Sequence, residues 1–180
     1  MLLATLALRA VAIAASTAVP TIDQSLEMKT VTGARISPDG RLVTYVVQEP
    51  NWEDNEFVQQ IWIAVTATGE RYALTSARKS SADPRWSPDS RRLAFASERD
   101  GKRQIYVIAP TGGEAAQLTS EDNGVGQFAW SPDGASIAFT STGPESKARK
   151  DRKEKYGELD VIGSDYAMER LWQMRVPGQR

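Results

Sequence analysis

Apolar and polar positions along this chain alternate in short runs, and the runs recur. Val43 and Tyr45, Leu93 and Phe95, and Ile137 and Phe139 fall on one face of three predicted strands. Thr44, Ala94 and Ala138, all small, fall between them on the other face. Large residues on one face and small ones on the other suit sheets stacked face to face around an axis. A turn precedes each run. The segments ARISPDGRLVTYVVQ from Ala34, PRWSPDSRRLAFASE from Pro84 and FAWSPDGASIAFTST from Phe128 align without gaps. Pro presets φ at the second position of the turn, Asp tolerates the third, and Gly takes a left-handed fourth. The middle copy has Ser90 in place of that glycine, which predicts a strained residue costing on the order of 1 kcal/mol.

The repeat extends beyond the turn. Ser37, Ser87 and Ser131 lie 50 and 44 residues apart, the period of a four-stranded propeller blade. An aromatic stands eight residues after each serine: Tyr45, Phe95 and Phe139. Another strand follows in each copy, QQIWIAVT from Gln59, RQIYVIAP from Arg103 and ERLWQMRV from Glu169. The first two copies then show a glycine turn and a Leu-Thr pair, and the spacing from Trp62 to Leu74 equals that from Tyr106 to Leu118. Trp86 and Trp130 occupy matching places where the first copy has Ile36. They read as core packing, with ligand stacking as the lesser alternative.

These offsets predict an all-β fold, a partial β-propeller of four-stranded antiparallel blades preceded by an apolar N-terminal segment. The expected organisation is a signal peptide over 1–18, a lead-in helix or linker over 19–30, and propeller over 31–180. Its blades span about 31–76, 77–120 and 121–180, with a charged insertion at 143–168 in the third. The third copy runs into Pro177 and Gly178 before its Leu-Thr strand, and propellers have about four to eight blades. The expectation is therefore an N-terminal fragment of a longer protein. The first residues, MLLATLALRAVAIAASTA, are too short and too broken by Arg9 to read as a membrane span. They fit export to the periplasm or medium, with Ser16-Thr17-Ala18 as the cleavage site; a cytoplasmic location is the alternative.

Composition narrows the chemistry. The 180 residues contain no histidine and no cysteine. Ser-His-Asp and Cys-His catalysis cannot be completed from them, nor can thiolate or imidazole metal sites. Net charge is −1, so nothing global points to nucleic acid. The acidic hairpin around Glu53, Asp54 and Glu56 lacks the spacing and glycine of a calcium loop. The basic run Lys147 to Lys155 is interleaved with Asp151 and Glu154 and reads as a solvated extension or hairpin. Gly163-Ser164-Asp165 lacks the second glycine of a nucleophile elbow. Asp39, Asp89 and Asp133 recur once per repeat, as a structural turn requires and a unique catalytic site does not. No catalytic, cofactor-binding or metal-binding residue is assigned, and no cofactor is expected.

W-S-P-D-G, Q-I-Y-V, G-G-E and Q-L-T together resemble the TolB-like propeller repeat. Two groups carry it: the N-terminal propeller of serine peptidases of the prolyl oligopeptidase family, and the periplasmic TolB-like protein. The stretch TIDQSLEMKTVTGARISPDGRLVTYVV from Thr21, close behind an export-like start, resembles the dipeptidyl-peptidase and acylaminoacyl-peptidase branches. So does the charged insertion from Lys147. The resemblance implies a C-terminal α/β-hydrolase domain on the same polypeptide, peptide substrates, and a gating role for the propeller. It transfers no catalytic residue to this chain, and the glutamate motif that binds peptide amino-termini in dipeptidyl-peptidases is not found. The alternative is a non-enzymatic TolB-like propeller that binds protein partners.

Overall fold

The computed structural model describes residues 19–143, 147–157 and 168–177. The segment assigned to export and the Gly163-Ser164-Asp165 triplet lie outside the described residues. A short helix α1 (Ile22–Leu26) opens the fold. Thr21 caps it: its hydroxyl accepts the Gln24 N–H at 3.2 Å and the Gln24 side chain accepts the Thr21 N–H at 3.1 Å.

Three antiparallel sheets follow. The first runs β1 (Thr30–Ile36), β2 (Leu42–Asn51), β3 (Glu56–Val65) and β4 (Arg71–Ala73), in that spatial order. The second repeats it with β5 (Ser81–Trp86), β6 (Leu93–Ser97), β7 (Gln104–Ile108) and β8 (Ala116–Gln117). The third contains β9 (Phe128–Trp130), β10 (Ser136–Thr142) and β11 (Glu169–Arg175), with β10 central. Among the described residues these are two four-stranded blades and a three-stranded one, the partial propeller that the repeat predicts. The aligned aromatics meet as cross-strand pairs: Tyr45 opposite Trp62, Phe95 opposite Tyr106, Phe139 opposite Trp172.

Each Ser-Pro-Asp turn is held the same way. The fourth residue donates its N–H to the serine carbonyl at 2.9 Å in all three copies. That residue is left-handed each time, with φ of 74° at Gly40, 60° at Ser90 and 68° at Gly134. Ser90 is thus the strained residue predicted. The structure adds an offset to that cost: its hydroxyl accepts the Asp39 N–H of the preceding blade at 3.1 Å. A second left-handed position was not anticipated. The pairing of β1 with β2 shifts between Thr32 and Arg35, and that of β5 with β6 between Ala82 and Arg85. Gly33 (φ 64°) and Asp83 (φ 53°) supply these two bulges at equivalent repeat positions.

The blades stack through unlike faces. Val46, Ile61 and Ile63 of the first pack on Leu93, Phe95, Tyr106 and Ile108 of the second. The second then turns its other face, with the small Ala94 and Ala96 beside Ile105, to Phe128, Ile137 and Phe139 of the third. Small side chains on one sheet let the next sheet's aromatics reach close, and full burial of each such ring contributes roughly 1.5–3 kcal/mol. The large face of the first blade has no such neighbour among the described residues, so Val43 and Tyr45 are half-buried and Ile36 is exposed.

The basic run forms helix α2 (Lys147–Tyr156), with no buried residue. The solvated extension expected here is a helix and not a hairpin. Lys, Arg, Glu and Ala are strong helix formers, and Asp151 stands four residues before Lys155, the favourable order of charges. Those local preferences act without any apolar stripe to announce them. Among the described residues no helix is long and apolar enough to cross a membrane.

Candidate functional site

The inner strands β1, β5 and β9 and their Ser-Pro turns enclose a cleft of about 600 Å³. Arg35, Arg85, Trp86 and Trp130 line it, with Pro38, Pro88 and Pro132 at the turns. The two indoles are partly buried and each N–H is used between blades. Trp86 donates to the Arg35 carbonyl at 3.1 Å and Trp130 to the Arg85 carbonyl at 2.9 Å. Arg92 also sits over the Trp130 ring, 5.2 Å from its centre. Packing is therefore a real role of both tryptophans, and one edge of each also borders the cleft.

A second cavity, of about 500 Å³, lies by the β2–β3 hairpin and includes Trp52, Glu53, Trp62 and Arg78 in its wall. Two of the three acidic residues weighed as cation ligands, Asp54 and Glu56, are already paired here. Arg78 donates to both Asp54 oxygens, at 3.0 and 2.8 Å, and Lys79 reaches Glu56 at 2.9 Å. The Arg78 hydrogen bond holds the Asp54 carboxyl below its usual range, and Glu56 pushes the Lys79 ammonium up. Two carboxylates neutralised by fixed cations make a poor ligand set for a metal ion.

The repeated serines and aspartates bind each other. Ser37 donates to Asp39 at 2.6 Å, Ser87 to Asp89 at 2.6 Å and Ser131 to Asp133 at 2.5 Å. Each carboxylate also accepts the backbone N–H two residues on. The serine hydroxyl bond is the main cause that lowers all three carboxyl pKa values, from an ordinary 3.8. These hydroxyls are committed to the turn and are not nucleophiles in waiting. The shifted groups are tuned away from neutral proton transfer: Asp39, Asp54, Asp89 and Asp133 move down. Burial and the Asp100 carboxylate push Tyr106 up to about 12.

The three turn carboxylates give the fold a defined acid limb. A folded-state pKa below the unfolded one contributes stability above the unfolded value, and that contribution disappears as pH falls through the folded value. The thermal midpoint should therefore be level in this respect above about pH 5 and fall below about pH 4. The triple variant Asp39→Asn, Asp89→Asn, Asp133→Asn should have a lower midpoint at pH 7 and a flatter decline in acid. Scanning calorimetry from pH 7 to 3 reads both. An unchanged acid limb in the triple variant would remove the turns as its source.

Buried polar contacts that the sequence reading missed recur in the first two blades. Thr75 donates to Gln60 at 2.7 Å and accepts the Ile61 N–H at 2.9 Å. Thr119 and Gln104 repeat this at 2.8 Å, with the Ile105 N–H at 2.9 Å. The Leu-Thr pair was expected within an outer strand. It lies just past β4 and β8 instead, where the threonine hydroxyl takes over the pairing of a strand N–H. The signal was present: Gln60 to Thr75 and Gln104 to Thr119 have the same spacing.

The TolB beta propeller domain matches residues 19–146, more than half of the chain. The chain belongs to the TolB beta propeller domain family. Curated relatives of this TolB-family chain are peptidases. It is 42% identical over 81 residues to the uncharacterized peptidase YuxL of Bacillus subtilis (strain 168), an alignment covering 45% of this chain and 12% of that protein. It is 30% identical over 82 residues to dipeptidyl-peptidase 5 of Porphyromonas endodontalis, covering 46% and 12%. Those alignments thus span about an eighth of each peptidase's length. Among solved structures, uncomplexed Pyrococcus horikoshii acylaminoacyl peptidase superposes with a TM-score of 0.60 at 20% identity, over 82% of this chain and 23% of that one. That likeness shows a shared fold.

Proposed function

We propose that this chain is the propeller part of a larger serine peptidase of the dipeptidyl- or acylaminoacyl-peptidase type. Its role there is to admit short peptides along the inner cleft to an α/β-hydrolase domain of the same polypeptide. The observation that carries the reading is the 42% identity to a peptidase across 81 residues of blade sequence. The absence of any histidine in these 180 residues agrees with it, because the imidazole of a serine triad must then come from elsewhere in the polypeptide. The apolar start adds export to the proposal.

The test uses the native polypeptide, recovered from its own cells with an antibody raised against this chain. The expected result is a product several times longer than 180 residues, found outside the cytoplasm and labelled by a fluorophosphonate. It should hydrolyse dipeptidyl or acylaminoacyl chromogenic substrates. A product of propeller size that takes no label overturns the proposal and favours a partner-binding propeller.

A further inference from the structure

We propose that the inner cleft binds a carboxylate carried on a peptide, through the guanidinium groups of Arg35 and Arg85. The choice of a peptide as carrier rests on the function proposed above; the charge argument does not.

Arg35 and Arg85 stand at the same repeat position on β1 and β5, each one residue before Ile36 or Trp86, and all four line the cleft. The third copy has Ala129 there, so blade geometry does not demand an arginine. Among the described residues, some cations of the chain are paired and others are not. Arg78, Lys79, Arg103 and Lys29 each hold a carboxylate. The side chains of Arg35 and Arg85 hold none, and make no hydrogen bond to the described residues. No acidic side chain lines the cleft.

Arg85 is the more telling of the two. Its Nε is shut off from solvent and has no hydrogen-bond partner. Folded proteins seldom leave such a donor unpaired, and an arginine stays charged at any physiological pH. The enclosed Nε is out of a ligand's reach, which leaves the two Nη atoms as the planar fork that matches the two oxygens of a carboxylate. Apart from Ser37 and Ser131, the rest of the wall is apolar or aromatic, with Trp86, Trp130, Phe128 and the turn prolines. A compact charge flanked by apolar side chains fits this lining, which is the character of a peptide end or of an acidic residue within a peptide. A volume of about 600 Å³ is in the range of small-ligand sites.

Calorimetric titration of the 180-residue chain tests this with three peptides. One is acetyl-Ala-Ala-Phe-Ala-Ala with a free carboxyl end, one is its amide, and one is the amide with Glu in place of Phe. The expected result is heat from the free acid, the Glu peptide or both, with the amide at least tenfold weaker. Whichever acid binds more tightly identifies the source of the carboxylate. The double variant Arg35→Gln, Arg85→Gln should weaken that binding at least tenfold with an unchanged circular dichroism spectrum. If loss of Arg85 prevents folding, Arg35→Gln alone, on an exposed strand residue, should still weaken binding severalfold. Equal binding of acid and amide, no binding of any peptide at millimolar concentration, or arginine variants that bind normally would each overturn the proposal. So would inorganic phosphate that displaces the acid peptide at equal concentration, because the cleft would then be a general anion site. Fluorophosphonate labelling of the native polypeptide is read separately, so either idea can fail alone.

Discussion

Phe95→Ala should destabilise the chain by about 3–5 kcal/mol, while Tyr45→Ala at the same repeat position should cost on the order of 1 kcal/mol. The contrast comes from which faces of the blades are covered. Phe95 has no solvent exposure and stacks on Tyr106 with ring centres 5.8 Å apart. Arg99 lies 5.4 Å from its ring centre, and the first blade's Val46, Ile61 and Ile63 belong to the same cluster. Truncation there leaves a cavity between two sheets whose backbones are fixed by their ladders, so little relaxation can refill it. Tyr45 is half-buried on a face with no neighbouring blade among the described residues, and water can occupy what its ring vacates. Urea unfolding of both variants, followed by tryptophan fluorescence, measures the two differences. Domains of ordinary stability hold about 5–15 kcal/mol in total, so Phe95→Ala removes a large part of it. Equal costs at the two positions would contradict the stacking of large faces on small ones.

The blade frame was legible from residues that act locally. Ser-Pro-Asp-Gly sets a turn by its own dihedral preferences, and alternation on either side sets which face looks where. Even the register could be read, since Tyr45, Phe95 and Phe139 fall opposite the aromatics of the next strand. Contacts between copies were not legible. Nothing in the local pattern says that the Trp86 and Trp130 indoles bond the carbonyls of the preceding blade. The clue was comparative: Ile36, which carries no such donor, stands in the copy with no described blade before it. Asp83 was illegible for another reason. It is left-handed at a place where the first copy uses Gly33, and its carboxylate meets Arg103, a partner twenty residues away. The candidate site has the same character. Arg35 and Arg85 are unremarkable in the sequence and become notable only when the fold places them in one cleft without a carboxylate.

Thr119→Val should cost about 1–3 kcal/mol although it keeps the side chain's shape and adds apolar surface. Thr119 and Gln104 are both buried, and the hydroxyl is the partner of the Ile105 N–H. Valine leaves that strand N–H unpaired where water does not reach, and the penalty for an orphaned buried donor exceeds the net worth of the bond itself. The Gln104 side chain keeps its other contacts, from its amide to the Glu121 carbonyl at 2.8 Å and from the Glu121 N–H at 3.1 Å. The loss should therefore be concentrated on Ile105, and hydrogen exchange at that amide should speed up more than at its neighbours. Thr119→Ser should recover most of the stability, since it restores the hydroxyl and omits only a methyl. Thr75→Val in the first blade should behave alike, because Thr75 serves Ile61 in the same way. The third blade departs from this scheme: Arg170 stands where Gln60 and Gln104 stand, and a guanidinium has no acceptor to offer a threonine hydroxyl. A Thr119→Val variant within about 0.5 kcal/mol of the parent, with slow exchange at Ile105, would show that the N–H finds another partner. The recurring Gln–Thr spacing would then be a matter of packing alone.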